Sequence, residues 1–302
     1  MQRLPDHERC FERHLACSAA RAAVLLLLAA VTVSHAAAKS PEQLSERPVS
    51  FAPHRAVYDI ALERAASGSG VVEIAGRMVY ELQGSRCEGY TQNMRFVTRM
   101  TNQDGSEHVN DLSSSSFEDV ATKVLRFNST QRRDSELVDQ TSGDAREAAG
   151  SKGISVKLSK PEARVVTVAP AAHFPMRHSE DLIAAARSGS RQFVANLYDG
   201  SEKGAKVYAT SAMIGKPSVG ITADVPPKLR NRDSLAALRS WPVSIAYFDP
   251  NVTTKDEVPS YELAFRLFEN GVSSKLVIDY GEFAVRGELS DLVYLPASDC
   301  KG

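Results

Sequence analysis

The sequence predicts a mainly β protein, an antiparallel sheet that curls on itself with one or two short helices. Three observations carry this. From Ala56 onward apolar residues recur with a period of two rather than 3.6. Turn signals follow one another at short spacing, which suits sequential hairpins. The composition, 43 % hydrophobic and 24 % charged, can bury a core.

In chain order, the first feature is an export signal. Arg3, Arg9, Arg13 and Arg21 supply a positive region diluted by Asp6, Glu8 and Glu12. An uncharged apolar run of 12 residues follows, Ala22 to Val33. That suits a secretory core and is well short of the ~20 residues a bilayer-spanning helix needs. Ser34-His35-Ala36 fits a small-residue cleavage rule, so residues 1–36 are expected to be a cleaved signal peptide and 37–50 a flexible N-terminal segment. Cleavage after residue 36 changes the net charge of the chain from −1 to −2. With no basic excess, nucleic acid is not an expected partner. No later stretch approaches membrane-span length, so the processed protein is expected not to span a membrane.

The domain proper is expected at 51–302. Ala56, Tyr58, Ile60 and Leu62 alternate in a first strand. After Ser67-Gly68-Ser69-Gly70, Val72, Ile74, Met78, Tyr80 and Leu82 continue in a second, with Gly76 in phase as a bulge or bend. In a third, Tyr90, Met94 and Phe96 oppose Thr91, Asn93, Arg95 and Arg99. Weaker strand signals lie at Val109–Glu118, Val124–Arg132, Ser135–Thr141, Gly153–Leu158 and Arg164–Val168. A helix is expected over Ser179–Arg187, capped by Ser179, with Glu180 and Asp181 at its positive end and Gly189 as its stop. A second, shorter one is expected around Ser234–Arg239, after a surface loop at Lys216–Asp233. Tyr261, Leu263, Phe265 and Leu267 alternate up to Asn270-Gly271, a strong hairpin signal. Leu276, Ile278 and Tyr280 return from it, and Gly281-Glu282 turns the chain into Phe283, Val285, Leu289 and Leu292.

Candidate chemistry is sparse. His173 and His178 flank the expected helix start beside Ser179 and Asp181, a grouping that a hydrolase would use as nucleophile, base and orienter. Capping and loop packing explain the same residues, and the nucleophile-elbow and zinc-helix spacings are missing. No catalytic, metal or cofactor residue is therefore assigned. Asp199-Gly200 reads as a hairpin turn, and Asp256/Glu257 as a solvated pair rather than a glycosidase dyad. Trp241 and the strand aromatics Tyr58, Tyr80, Phe96, Tyr247, Phe265 and Tyr280 are most economically core. If the sheet curls without filling its middle, some of them line a hydrophobic cleft instead.

Of the four cysteines, Cys10 and Cys17 leave with the signal peptide. Cys87 and Cys300 remain in an oxidising compartment, where an even number reads as a disulfide. An intramolecular bridge would close 213 residues, worth at most roughly 5 kcal/mol by loop entropy. Free thiols and intermolecular bridges are the alternatives.

Several motifs in order resemble the EipB-like cell-envelope integrity proteins: residues 52–58 (APHRAVY), 198–201 (YDGS), 214–217 (IGKP), 238–242 (LRSWP) and the run from Tyr261 to Phe283. The resemblance spans about residues 50 to 300. It implies a periplasmic, Gram-negative protein whose long curved antiparallel sheet forms an open, spiral-like β-barrel. It also implies a Cys87–Cys300 disulfide and an envelope-maintenance role without established catalysis. The expected function is a non-enzymatic periplasmic factor that binds protein or envelope components. A carrier or sensor of a lipid-like ligand is the alternative, and a periplasmic hydrolase the third reading.

Overall fold

The structure, a computed structural model, describes residues 48–147, 153–168, 172–220, 224–250 and 258–298. The expected signal peptide at 1–36, residues 37–47 of the expected flexible segment, Asp256/Glu257 and Cys300 lie outside them. Among the described residues the strands are β1 (His54–Ala65), β2 (Val71–Ser85), β3 (Gly89–Asn102), β4 (Glu107–Asp119), β5 (Val124–Arg133), β6 (Glu136–Glu147), β7 (Ile154–Lys160) and β8 (Arg164–Val168). After these come β9 (Ala172–His173), β10 (Gln192–Leu197), β11 (Tyr208–Ile214), β12 (Ser218–Val219), β13 (Arg239–Phe248), β14 (Tyr261–Phe268), β15 (Ser273–Asp279) and β16 (Phe283–Tyr294). Two α-helices interrupt them, α1 (Pro175–Arg187) and α2 (Arg232–Ala236).

All sixteen strands join one sheet, in the order β8-β7-β6-β5-β4-β3-β2-β1-β16-β15-β14-β13-β11-β10-β9, with β12 beside β13. Neighbours are antiparallel except β9 and β10. The first strand thus pairs with the last, His54 opposite Tyr294, and the sheet extends as hairpins in both directions from that seam. Among the described residues the ladder does not close: its ends are β8 and β9. Those ends meet through side chains instead. Leu125, Ile154, Val156 and Leu158 of the β5–β7 arm pack in one buried cluster with Ala172, Phe174, Tyr198 and Val207 from the opposite end. Such overlap without closure is the open, curved sheet expected above.

The helix α1 lies on the inner face. Its Met176, Leu182, Ile183 and Ala186 share a buried cluster with Ala212, Trp241, Val243 and Ile245 of β11 and β13. It begins four residues before the expected start, and Ser179 does not cap it: the Ser179 hydroxyl donates back to Pro175 O at 2.9 Å. The cap is remote, a carboxylate on β4 described below. The other end follows expectation. Gly189 takes φ +84°, its amide donates to Ala186 O, and the Ser190 amide donates to Ala185 O, the 5→2 and 6→1 pair of a Schellman stop. The shorter helix sits at Arg232–Ala236 rather than Ser234–Arg239, because Arg239 already belongs to β13.

Three further expectations need correction. Lys216–Asp233 is not merely a surface loop: Val225 and Leu229 are buried with Leu235 against Ile60, Leu289 and Leu292. The Arg266 guanidinium and the Lys275 ammonium both bond Asp224, at 2.5 and 2.9 Å, fastening this segment to β14 and β15. Gly76 makes no bulge, since its pairing with Ile60 and Thr98 is regular. It is required by close approach, because a Cβ there would stand 2.1 Å from Val97 O. Finally, Val49 is buried with Phe51 in the core, so packing begins before residue 51.

Candidate functional site

The inner face is not filled. Between α1 and strands β1, β2, β13, β14 and β15 lies an apolar cavity of about 280 Å³. Its wall includes Tyr58, Met78, Leu82, Leu182, Ile245 and Leu263. Strand periodicity puts them there: Met78, Tyr80 and Leu82 are alternate residues of β2, as are Leu263, Phe265 and Leu267 of β14, so each set lies on one face. Polar groups in the wall are engaged. His54 Nδ1 donates to Ala52 O at 2.7 Å, and burial depresses the His54 pKa. The Tyr58 hydroxyl donates to Ser273 O at 2.8 Å.

Beside it, over β3–β6, is a second chamber of about 660 Å³ with a different lining. Here Gln92, Ser114, Ser116 and Ser129 stand on the sheet, faced by the Asp199–Lys203 connection and Tyr261. Tyr80 and Pro175 border both spaces. The Tyr80 ring lines the apolar cavity while its hydroxyl donates to Gln92 Oε1 at 3.0 Å.

One carboxylate sets the helix that roofs the apolar cavity. Glu118 of β4, 1 % exposed, accepts hydrogen bonds from the amides of Met176 (2.6 Å) and Arg177 (3.0 Å). Pro175 at the first helical position has no N–H, so two of the three orphan donors at the α1 N-terminus are thereby satisfied. Burial pushes the Glu118 carboxyl up to about 7, against the pull of those two amides. In the next turn of α1, Glu180 is buried and pairs with Arg86 Nη1 at 3.3 Å.

The histidines, serine and aspartate singled out in the sequence do not assemble. His178 is buried, and its Nε2 donates to Thr210 Oγ1 at 2.9 Å while that hydroxyl donates to Ala195 O. Burial, with His173 nearby, lowers its pKa to about 4. His173 Nδ1 lies 3.3 Å from Asp181 Oδ2 without hydrogen-bond geometry. Asp181 also accepts from Arg177 Nε at 2.8 Å, and Ser179 turns back to its own helix. Nothing here pairs a base with the Ser179 oxygen.

The Asp199-Gly200 turn forms, with Asp199 Oδ1 accepting from the Ser201 amide, but within a longer connection between β10 and β11. Trp241 is in the α1-side core, 1 % exposed. Tyr58, Tyr80, Tyr247 and Phe265 line the apolar cavity, which is the cleft option among the two sequence readings. Tyr247 stacks on Tyr261 at 4.3 Å, and Tyr208 meets both rings edge-on. The sequence reading missed Glu118 and the inward serines. An acidic residue ending a strand and a run of four serines were the available signals.

Comparison with known proteins adds three findings. A family model described as EipB-like matches residues 45–296. The chain is similar to the cell envelope integrity protein EipB of Brucella abortus (strain 2308), 40 % identical over 244 residues, covering 81 % of this chain and 84 % of that protein. A crystal structure of a β-barrel-like protein of a domain of unknown function, also from Brucella abortus, superposes with a TM-score of 0.75. It is 39 % identical and covers 82 % of this chain and all of the other.

Proposed function

Because this chain belongs to the EipB-like family, we propose that it maintains cell-envelope integrity as a non-enzymatic periplasmic factor that reversibly binds an envelope component. The observation that carries this is the unfilled inner face. A domain of this size ordinarily packs its interior to crystal-like density, and apolar cavities of several hundred Å³ with a few polar groups are the usual form of small-molecule sites. The side chains a hydrolase would need are engaged elsewhere, His178 with Thr210 and Ser179 with Pro175 O.

The periplasmic address rests on the Ala22–Val33 run and its arginines. The proposed Cys87–Cys300 bridge is supported by strand register. Leu82 and Tyr294 both lie opposite His54, on β2 and β16, which flank β1 and run the same way. Cys87 follows Leu82 by five residues and Cys300 follows Tyr294 by six. Two strands separated by a third are ~10 Å apart, well within the reach of such segments at roughly 3.3 Å per residue.

A carrier or sensor of a lipid-like molecule is the second reading, and the apolar wall under α1 favours it over a docking site for protein. Deleting the gene and scoring sensitivity to detergent and cell-wall antibiotics tests the role. Complementation by the wild type and failure by a Leu263→Trp variant that fills the cavity is the expected result. Full rescue by the folded Leu263→Trp protein would separate the envelope role from the cavity.

A further inference from the structure

We propose that the inner face holds a single amphiphile, its apolar tail in the cavity under α1 and a non-anionic polar head in the adjoining serine-lined chamber. This deepens the binding reading above and rests on it.

The argument begins with register. Across the ladder, Tyr80 pairs with Met94, Met94 with Ser114, and Ser114 with Ser129. One row over, Leu82 pairs with Gln92 and Gln92 with Ser116. Each row lies on one face of the sheet, so hydroxyl and amide groups enter the inner face on β3–β5, set among Met94, Leu112 and Phe127. Inward positions of a curled sheet that serve only packing carry branched aliphatics, as Ile154, Val156 and Leu158 do on β7. Polar residues at such positions are unfavourable unless something polar meets them. The serines are half-buried and line a space of about 660 Å³ rather than a packed core.

The two spaces are adjacent, with Tyr80 and Pro175 in the wall of both. A ligand that reaches past them meets an apolar wall on one side and, on the other, a mixed wall that offers serine hydroxyls and the Gln92 amide. The sign of the head follows from the charges lining the polar chamber: Asp139, Asp199 and Glu202 against Lys203 alone. A neutral polyol or a cationic amine finds acceptors there. A sulfate or phosphate monoester meets a surplus of carboxylates, and like-charge contacts are a means of rejecting a competitor.

The test uses one tail and three heads. The exported protein, stripped of bound amphiphile on hydrophobic resin, is titrated calorimetrically with decyl maltoside, decyltrimethylammonium and decyl sulfate below their micellar concentrations. Decanol serves as a tail-only probe. The maltoside and the ammonium should bind one per chain, at least tenfold tighter than the sulfate. Ser114→Leu/Ser129→Leu should erase the maltoside's advantage while leaving decanol binding in place. Glu202→Lys, an exposed change with little risk to folding, should tighten decyl sulfate at least threefold. Equal affinity for all three heads, or no response to Glu202→Lys, would overturn the head-group assignment and leave the cavity reading standing. Failure of every probe, decanol included, would remove both.

Discussion

Glu118 holds the amide of Met176 at 2.6 Å from 58 residues away in sequence, so a strand carboxylate fixes the helix that roofs the apolar cavity. The same neighbourhood contains His178, one turn into α1, whose pKa is shifted the opposite way.

These two groups make opposing contributions to stability. Native Glu118 keeps its proton up to about 7, whereas an unfolded glutamate loses it near 4.5. Between those values the native state binds more protons, so this contribution falls as pH rises. Native His178 is neutral down to about 4, while an unfolded histidine is protonated below 6.5. There the unfolded state binds more protons, so this contribution rises with pH. Each slope is at most about 1.4 kcal/mol per pH unit. Their sum is small between pH 5 and 6.5. Glu118→Gln should therefore make the urea-unfolding free energy rise with pH over that interval, and His178→Gln should make it fall. Unchanged slopes in both variants would contradict the assignment.

Much of the sheet was legible because most strands obey the alternation that half-burial imposes. The β8 limits, Arg164 to Val168, match the sequence reading, and the turns at Gly271 and Gly281 form with positive φ. Failures have identifiable causes. Strands β10 and β11 passed unnoticed because Ala195, Ala209, Ser211 and Ala212 blunt the contrast between faces, while Val194 and Met213 point outward and are exposed. The start of α1 was misplaced because its cap comes from β4, and no local pattern encodes a partner 58 residues away. Strand β4 looked weak for a reason tied to the site, since Ser114 and Ser116 stand between Leu112 and Glu118 on its inward face. The polar chamber was thus written in the sequence as an apparent defect of a strand.

Asp224 offers a test of how the 216–233 segment is secured. Burial acts to raise its pKa, but hydrogen bonds from Lys275 and Arg266 hold it below the usual value. The Arg266 side chain is only 14 % exposed, so removing the carboxylate leaves a largely buried cation unpaired. Asp224→Ala should cost about 3 kcal/mol, read by urea denaturation. Its native advantage should vanish as pH falls through the depressed carboxyl pKa. A loss below ~1 kcal/mol would mean that water or another carboxylate takes its place.

The proposed bridge between Cys87 and Cys300 predicts three equal effects. Cys87→Ser, Cys300→Ser and reduction of the wild type should lower the melting temperature by the same amount, and reductant should not affect either variant further. Loss of a native disulfide typically costs about 2–5 kcal/mol. A melting temperature indifferent to reductant would remove the bridge from the account.

The central claim, that the inner face is a binding site, is tested most directly by native mass spectrometry of the protein purified from its native cells. The account predicts a stoichiometric adduct, released by organic extraction, on the wild type and none on folded Leu263→Trp. A wild-type mass equal to the bare polypeptide in repeated preparations, with nothing in the extract, would contradict it.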